Sequence, residues 1–478
     1  MVDDLKQKTV KGVVWSTLER FSGQGAQFLI MLVMARLLAP QDYGILGMIT
    51  IFIAISQSLI DSGFSQALIR KQNRTNIDNS TVFYFNLVVS GCLYVILFIL
   101  APYVALFYNT PALCSVMRVI CLSIIINSGA VVQRALLTIN IDFKSQAKAS
   151  VISTIIGGIV GILLAFGGYG VWALVFQQLT FYSLNTILLW VFSKWRPLWC
   201  YSWESFHELF AFGSKMLASG LLDTIYNNIY IIVIGKLFSA SSLGHYVRAK
   251  NFSEFPSSNV TGIIQRVTYP VLCKIQTDDD RLREVYRKFL KLSAFIIFPL
   301  MVGLASVSEP FVILIIGEKW RFCSELLQII CFSMMWYPIH AINLNLLQVK
   351  GRSDLFLRLE ILKKILGVCI LLCTFSFGLV VMCYGSIVSS ILCLIINTYY
   401  TGKLINVGFF KQMRDLLPTF LICMCMFGLI LVINNFVSSY MLQLIIGILT
   451  GVVFYFVTTY LFRFRELREL LSLMGKNK

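Results

Sequence analysis

ARLLAPQDYGILG at residues 35–47 returns as GKLFSASSLGHYV at 235–247, an offset of 200. Arg36 meets Lys236, Leu37 meets Leu237, and Gly44 meets Gly244. Farther along, Pro102 matches Pro310, Cys121 matches Cys331 and Ser123 matches Ser333, at offsets of 208 to 210. Each match is weak alone. Their order and near-constant offset make the chain an internal repeat.

The sequence around these motifs says what is repeated. Of 478 residues, 58% are hydrophobic and only 13% charged, against about 25% charge in a soluble chain. That excludes a water-soluble multidomain enzyme and a disordered polymer. A membrane helix takes about 20 mostly apolar residues. Fourteen spans can be read, near 10–35, 42–68, 81–106, 113–137, 145–166, 170–192, 208–234, 242–271, 286–307, 323–348, 355–377, 379–401, 416–435 and 440–462. The repeat unit therefore holds six helices. An even number means both copies enter the membrane from the same side, so a pseudo-two-fold along the membrane normal relates them. The expected fold is an all-α membrane protein of about 14 transmembrane helices. It comprises an N-terminal lobe at 1–200, a C-terminal lobe at 201–410, and two further helices with a cytoplasmic tail at 411–478.

The formal charge of +17 is a topology signal rather than a nucleic-acid footprint. With the N-terminus in the cytoplasm, Lys6, Lys8, Lys11, Arg70, Lys71, Arg74, Arg134, Lys144, Lys148 and the basic run from Arg266 to Lys291 all fall inside. Arg36, Lys236, Lys319 and Arg321 fall outside. Lys and Arg concentrate in cytoplasmic loops, so both termini are expected there, in a multi-pass protein of the bacterial cytoplasmic membrane. Anionic lipid headgroups gain from the same charges. MVDDLKQKTVKG at the start is polar and is followed by no cleavable apolar core, so the first helix is expected to stay in the membrane.

The 13 cysteines are scattered without a CxxC pair, and there are 3 histidines. Neither a zinc site nor a disulfide framework is expected; most of these thiols read as small buried hydrophobes. No phosphate loop, nucleophile elbow or HExxH is present, so neither a cofactor nor a metal is expected. Asp278, Asp279 and Asp280 precede DRLREVYRKFLK, where helix capping explains them better than metal binding. Gly157, Gly158 and Gly161 form a small-residue stripe suited to helix packing.

Charges inside spans call for a reason, because one at mid-bilayer costs at least about 2.5–3.5 kcal/mol on insertion scales. On 3.6-residue spacing Arg20, Gln24 and Gln27 share one face of the first span. Thr50, Gln57 and Asp61 lie on one stripe of the second. Lys215, Ser219, Asp223 and Asn227 recur every four residues in the seventh, and Arg248, Lys250, Asn251 and Glu254 cluster in the eighth. These are the first two spans of each repeat, so a polar chamber between the lobes follows. Competing readings stand beside this one. Lys250 and Glu254 are i,i+4 partners able to neutralise each other. Lys215 can snorkel to the interface. Arg118 sits where a headgroup contact competes with a substrate role. Asp61, Asp223 and Glu254 are candidate coupling-ion or proton sites, and Asp61 and Asp223 equally suit an ion pair with a nearby cation. His340, beside Asn343, reads as a satisfied interior histidine.

ARLLAPQDYGILGMITIF, DSGFSQALIRK, STVFYFNL, GYGVWALVFQQL, SLGHYVRAKNF and EPFVILIIGEKW together resemble the polysaccharide transporters of the multidrug/oligosaccharidyl-lipid/polysaccharide exporter superfamily. The nearest likeness is to the Wzx-type lipopolysaccharide and O-antigen flippases, over residues 1 to about 370. The resemblance implies fourteen helices in two lobes that flip an undecaprenyl-diphosphate-linked oligosaccharide by alternating access. It also implies cavity cations that hold the diphosphate. Arg20, Lys215 and Arg248 are the positions for that role; only Arg248 lies within a quoted motif. Gln24, Gln27, Asp223, Asn227 and Asn251 would line the cavity for the sugar. Expected partners are the lipid-linked glycan, membrane lipids, H+ or Na+, and the polysaccharide polymerase machinery, with no nucleic acid. A multidrug cation antiporter and a lipid II flippase of the same superfamily are the alternatives. A membrane glycosyltransferase or polymerase is disfavoured, since the longest connections are only about fifteen residues, too short for a catalytic loop.

Overall fold

The computed structural model describes residue 23 and residues 25–61 and 63–469. Among them every regular element is a helix and none is a strand. The chain divides into two compact units, Met1–Gly244 and His245–Lys478.

In the first unit, α1 (Gly25–Leu37) is followed by α2 (Pro40–Asp61), α3 (Phe64–Arg70) and α4 (Asn76–Phe107). Pro40 starts α2, where the missing N–H is no loss, and the Asp42 side chain accepts from the Ala39 N–H at 3.0 Å. Gly63 separates α2 from α3 with φ 74°, a conformation open to glycine without strain. Thr75 and Asp78 form a reciprocal capping box at the start of α4.

Next come α5 (Ala112–Ile120), α6 (Leu122–Ser128) and α7 (Val131–Ile139), one span broken twice. Breaks free backbone carbonyls, which lipid cannot satisfy. Here α9 (Val171–Ser193) supplies the donors. Trp190 Nε1 donates to the Gly129 carbonyl at 2.7 Å, and Thr186 Oγ1 to that of Ile126 at 3.1 Å.

Between them α8 (Phe143–Phe166) packs along α9. A Cβ on Gly157 would lie 3.0 Å from the Gln177 carbonyl oxygen, and one on Gly161 2.9 Å from Gln177 Cβ. One on Gly158 would strike Ile30 of α1 at 2.3 Å. The glycine stripe is thus a packing surface facing two helices. The unit closes with α10 (Trp203–Leu237), lying against α2. The preceding linker is strapped to the start of α4: Leu198 N–H donates to Ser80 and Ser202 N–H to Thr81. Trp199 and Trp203 stay largely exposed, as side chains of a lipid–water boundary do.

The last helix of that unit, α11 (Ala240–Lys274), continues into the second. There follow α12 (Asp279–Ser306), α13 (Ser308–Ile316), a 3-10 turn at Glu318–Trp320, α14 (Arg321–Met334) and α15 (Tyr337–Val349). Then come α16 (Ser353–Thr374), α17 (Leu379–Ile405), α18 (Phe409–Phe436) and α19 (Tyr440–Leu461). The acidic run before α12 does what capping requires. Asp278 accepts from the Arg281 N–H at 3.0 Å, Asp279 pairs with Lys350 and Asp280 with Arg283.

A buried polar knot ties α18 into this unit. Tyr286 donates to Asn343 at 2.8 Å, and Asn343 and Gln412 exchange amide bonds at 3.1 Å. Gln412 also donates to Thr401 and to the Val407 carbonyl. Beside it Asp415 accepts from both Arg287 and Lys291.

Helices overlie each expected span among the described residues, with turns inside three of them at Gly63, at Cys121 and Gly129–Ala130, and at Met335–Trp336. Among the described residues, ten helical segments are long and apolar enough to cross a membrane. The remaining expected spans fall on α1, α10, α11 and α16. Among the described residues α1 is short, and the other three carry charge along their length. The chain is a multi-span helical membrane protein.

Candidate functional site

The residues singled out from sequence sit on α1, α2, α10 and α11. Arg20 and Gln24 lie outside the described residues, as does the side chain of Lys215, whose backbone is part of α10. In the first unit Gln27, Asp61, Asp223 and Asn227 are exposed. An exposed polar group on a membrane helix faces water or headgroups, since lipid tails would penalise it. Asp223 and Asn227, one turn apart, lie on one exposed face of α10.

Polar contacts across this unit are sparse but specific. Gln57 Nε2 on α2 donates to Tyr182 of α9 at 3.3 Å. Arg118 lies 4.3 Å from the Phe98 ring centroid, a cation–π contact.

In the second unit Arg248 is 2% exposed, with its guanidinium carbon 5.9 Å from the Trp320 ring centroid. The same tryptophan packs edge-on against His245, as does Phe322. Arg248 is thus enclosed by protein in the conformation observed. Asn251 is exposed. Lys250 and Glu254 pair at 3.5 Å, as their spacing allows.

One cluster was missed. Lys363 and Glu360 on α16 form an ion pair, with Lys363 only 13% exposed. Near Lys363, His340 is held at both ring nitrogens, by Asn397 at 3.0 Å and Ser390 at 3.2 Å. The i,i+3 spacing of Glu360 and Lys363 was the available signal.

The chemistry on offer is hydrogen bonding and charge. Among the described residues no cluster of three metal-ligating side chains occurs.

Comparison with known proteins gives these observations a setting. The model of the family described as "Polysaccharide biosynthesis protein" matches residues 33–325. An uncharacterized membrane protein in the cps region of Klebsiella pneumoniae is 28% identical over 82% of this chain and 81% of its own length. The lipopolysaccharide biosynthesis protein WzxC of Escherichia coli is 25% identical over 76% of this chain and 74% of its own. Among solved structures, the lipid II flippase MurJ in an inward closed conformation superposes with a TM-score of 0.77. It covers 94% of this chain and 99% of its own at 14% identity, a likeness of fold. With more than half the chain matched, and with both copies of the repeated motif inside the match, the protein belongs to the polysaccharide biosynthesis protein family.

Proposed function

We propose that the protein flips an undecaprenyl-diphosphate-linked oligosaccharide from the cytoplasmic to the outer leaflet of the bacterial cytoplasmic membrane. It serves the synthesis of a surface polysaccharide, and it is a carrier that makes and breaks no bond. The family match carries this reading, because it spans more than half of the chain and takes in both copies of the repeated motif. The fold likeness to a lipid II flippase supports it.

The physics fits the proposed residues. A diphosphate is strongly anionic and gains most from cations where water is scarce. Arg20, Lys215 and Arg248 are given that role; Gln24, Gln27, Asn227 and Asn251 are given the sugar hydroxyls. Arg248, enclosed beside Trp320, would be uncovered only in another state of an alternating-access cycle. Asp61, Asp223 and Glu254 are assigned to H+ or Na+ coupling. Both termini lie in the cytoplasm, and the lobes are 1–200 and 201–410, with 411–478 appended. The polymerase machinery takes the product.

Deleting the gene in its host tests the reading. Lipid-linked oligosaccharide should accumulate in the inner leaflet and reach the outer one again on complementation. Undiminished delivery in the deletion strain would overturn the assignment.

A further inference from the structure

The second unit holds a polar cleft of about 820 Å³, within the range of about 300–1,000 Å³ typical of small-molecule sites. It opens where α12 breaks into α13, between the start of α14, the end of α18 and the start of α19. These last two helices lie outside the sequence repeat, and here they build a wall.

The lining is made for hydroxyl groups. Ser324, Glu325, Gln328, Asn434, Asn435 and Gln443 supply carboxamides, a carboxylate and a hydroxyl, with the Phe322 ring beside them. Planar amides and carboxylates can each meet two neighbouring hydroxyls. Asn434 Nδ2 reaches the Ser306 carbonyl at 3.4 Å. Its Oδ1 is buried without a hydrogen-bond partner among the described residues.

Charge separates this cleft from a phosphate site. Arg321 is bound by Glu309 at 2.8 Å and Glu318 at 3.2 Å, and it also donates to the Tyr440 hydroxyl at 3.1 Å. Its charge is matched twice over, and Glu325 adds a further negative group to the lining. A diphosphate would be repelled; an uncharged polyol would not.

We propose that this cleft is a glycan subsite, binding the neutral sugars of the lipid-linked substrate rather than its diphosphate. The inference rests on the flippase reading above. In the orientation proposed there, the cleft faces the outer side and receives the sugars after they cross.

The test uses the purified full-length protein and two probes. One is undecaprenyl-diphosphate-linked oligosaccharide extracted from a polymerase-deleted strain of the host; the other is bare undecaprenyl diphosphate. Native mass spectrometry compares their affinities. The wild type should prefer the glycosylated carrier by roughly tenfold, as expected for two or three hydrogen bonds. Gln328→Leu with Asn434→Leu should abolish that preference and leave bare-carrier binding unchanged. Asn435→Trp, at an exposed position, should do the same by filling the cleft without touching the core. A variant that folds and keeps the preference overturns the subsite, as does a wild type that binds both probes equally. A wild type that binds neither probe overturns the flippase reading and the subsite with it.

Discussion

Gly44 and Gly244, 200 residues apart in sequence, sit in reciprocal contact within the first unit. A Cβ on Gly44 would lie 1.7 Å from the Ala240 carbonyl oxygen, and one on Gly244 would lie 1.8 Å from that of Pro40. Pro40 and Ala240 are also repeat partners. The contact is reciprocal: each glycine faces a backbone carbonyl of the other's segment. Only glycine lets the ends of α2 and α11 approach so closely.

Gly44→Ala or Gly244→Ala should therefore push these two helix ends apart. The obstacle is backbone, which cannot swing aside as a side chain can, so a cost of about 1–3 kcal/mol or more is expected. Thermal melting of the purified variants checks this, together with surface polysaccharide in a complemented deletion strain. Two variants with wild-type melting and wild-type export would show that the approach is not needed.

Arg248→Ala and Arg20→Ala should each abolish surface polysaccharide while the protein still inserts. Normal export by both variants would remove the cation assignment. Export that survives collapse of both the H+ and the Na+ gradient would remove the antiport assignment instead.

Gln412→Leu should destabilise the second unit strongly. It strands Tyr286, Asn343 and Thr401, all buried around it. Leaving even one such group unmet costs about 1–3 kcal/mol, and members of a network fail together. Denaturant unfolding should show a loss of that order or greater. A loss no larger than that of Tyr286→Phe, which removes a single hydroxyl, would argue against the knot as a unit.

Asn86, in the STVFYFNL stretch, is fully buried, and neither of its amide atoms has a hydrogen-bond partner among the described residues. Asn86→Leu should raise the melting temperature by relieving a cost of about 1–3 kcal/mol. A lowered melting temperature would mean that something polar engages this amide.

Lys71 donates to Glu208 at 2.7 Å and to Asp78 at 3.0 Å. The bond to Glu208 holds its ammonium above the ordinary lysine value of 10.5. A raised lysine pKa gives stability that is fully present below the ordinary value and lost as pH rises through the raised one. Lys71→Met should thus lower the melting temperature at neutral pH, with the gap to wild type closing in strong alkali, as the ammonium loses its proton, and again in acid, as the Asp78 carboxylate gains one. A gap that stays constant from acid to strong alkali would contradict the ion-pair origin.

Much of the architecture was legible in the chain. Membrane helices declare themselves by apolar runs of about twenty residues, because lipid leaves the backbone no other way to satisfy itself. The repeat, the capping role of Asp278 and the packing role of Gly157, Gly158 and Gly161 were readable too, since each rests on local spacing. The candidate site was legible in part: the Lys250–Glu254 pairing was, but the enclosure of Arg248 by Trp320 was not. The Glu360–Lys363 pair and the knot around Gln412 were equally hidden. The enclosure and the knot join residues of different elements, and helical periodicity assigns a side chain to a face without saying which helix meets that face. Sequence alone determined the class of the fold, its repeat and the supply of polar side chains within the membrane. Tertiary structure decided which of those side chains pair, which are enclosed and where α18 and α19 leave a cleft. The reason is that lipid-exposed and protein-buried apolar surfaces read alike in a sequence, so the order in which membrane helices pack is written only in their contacts.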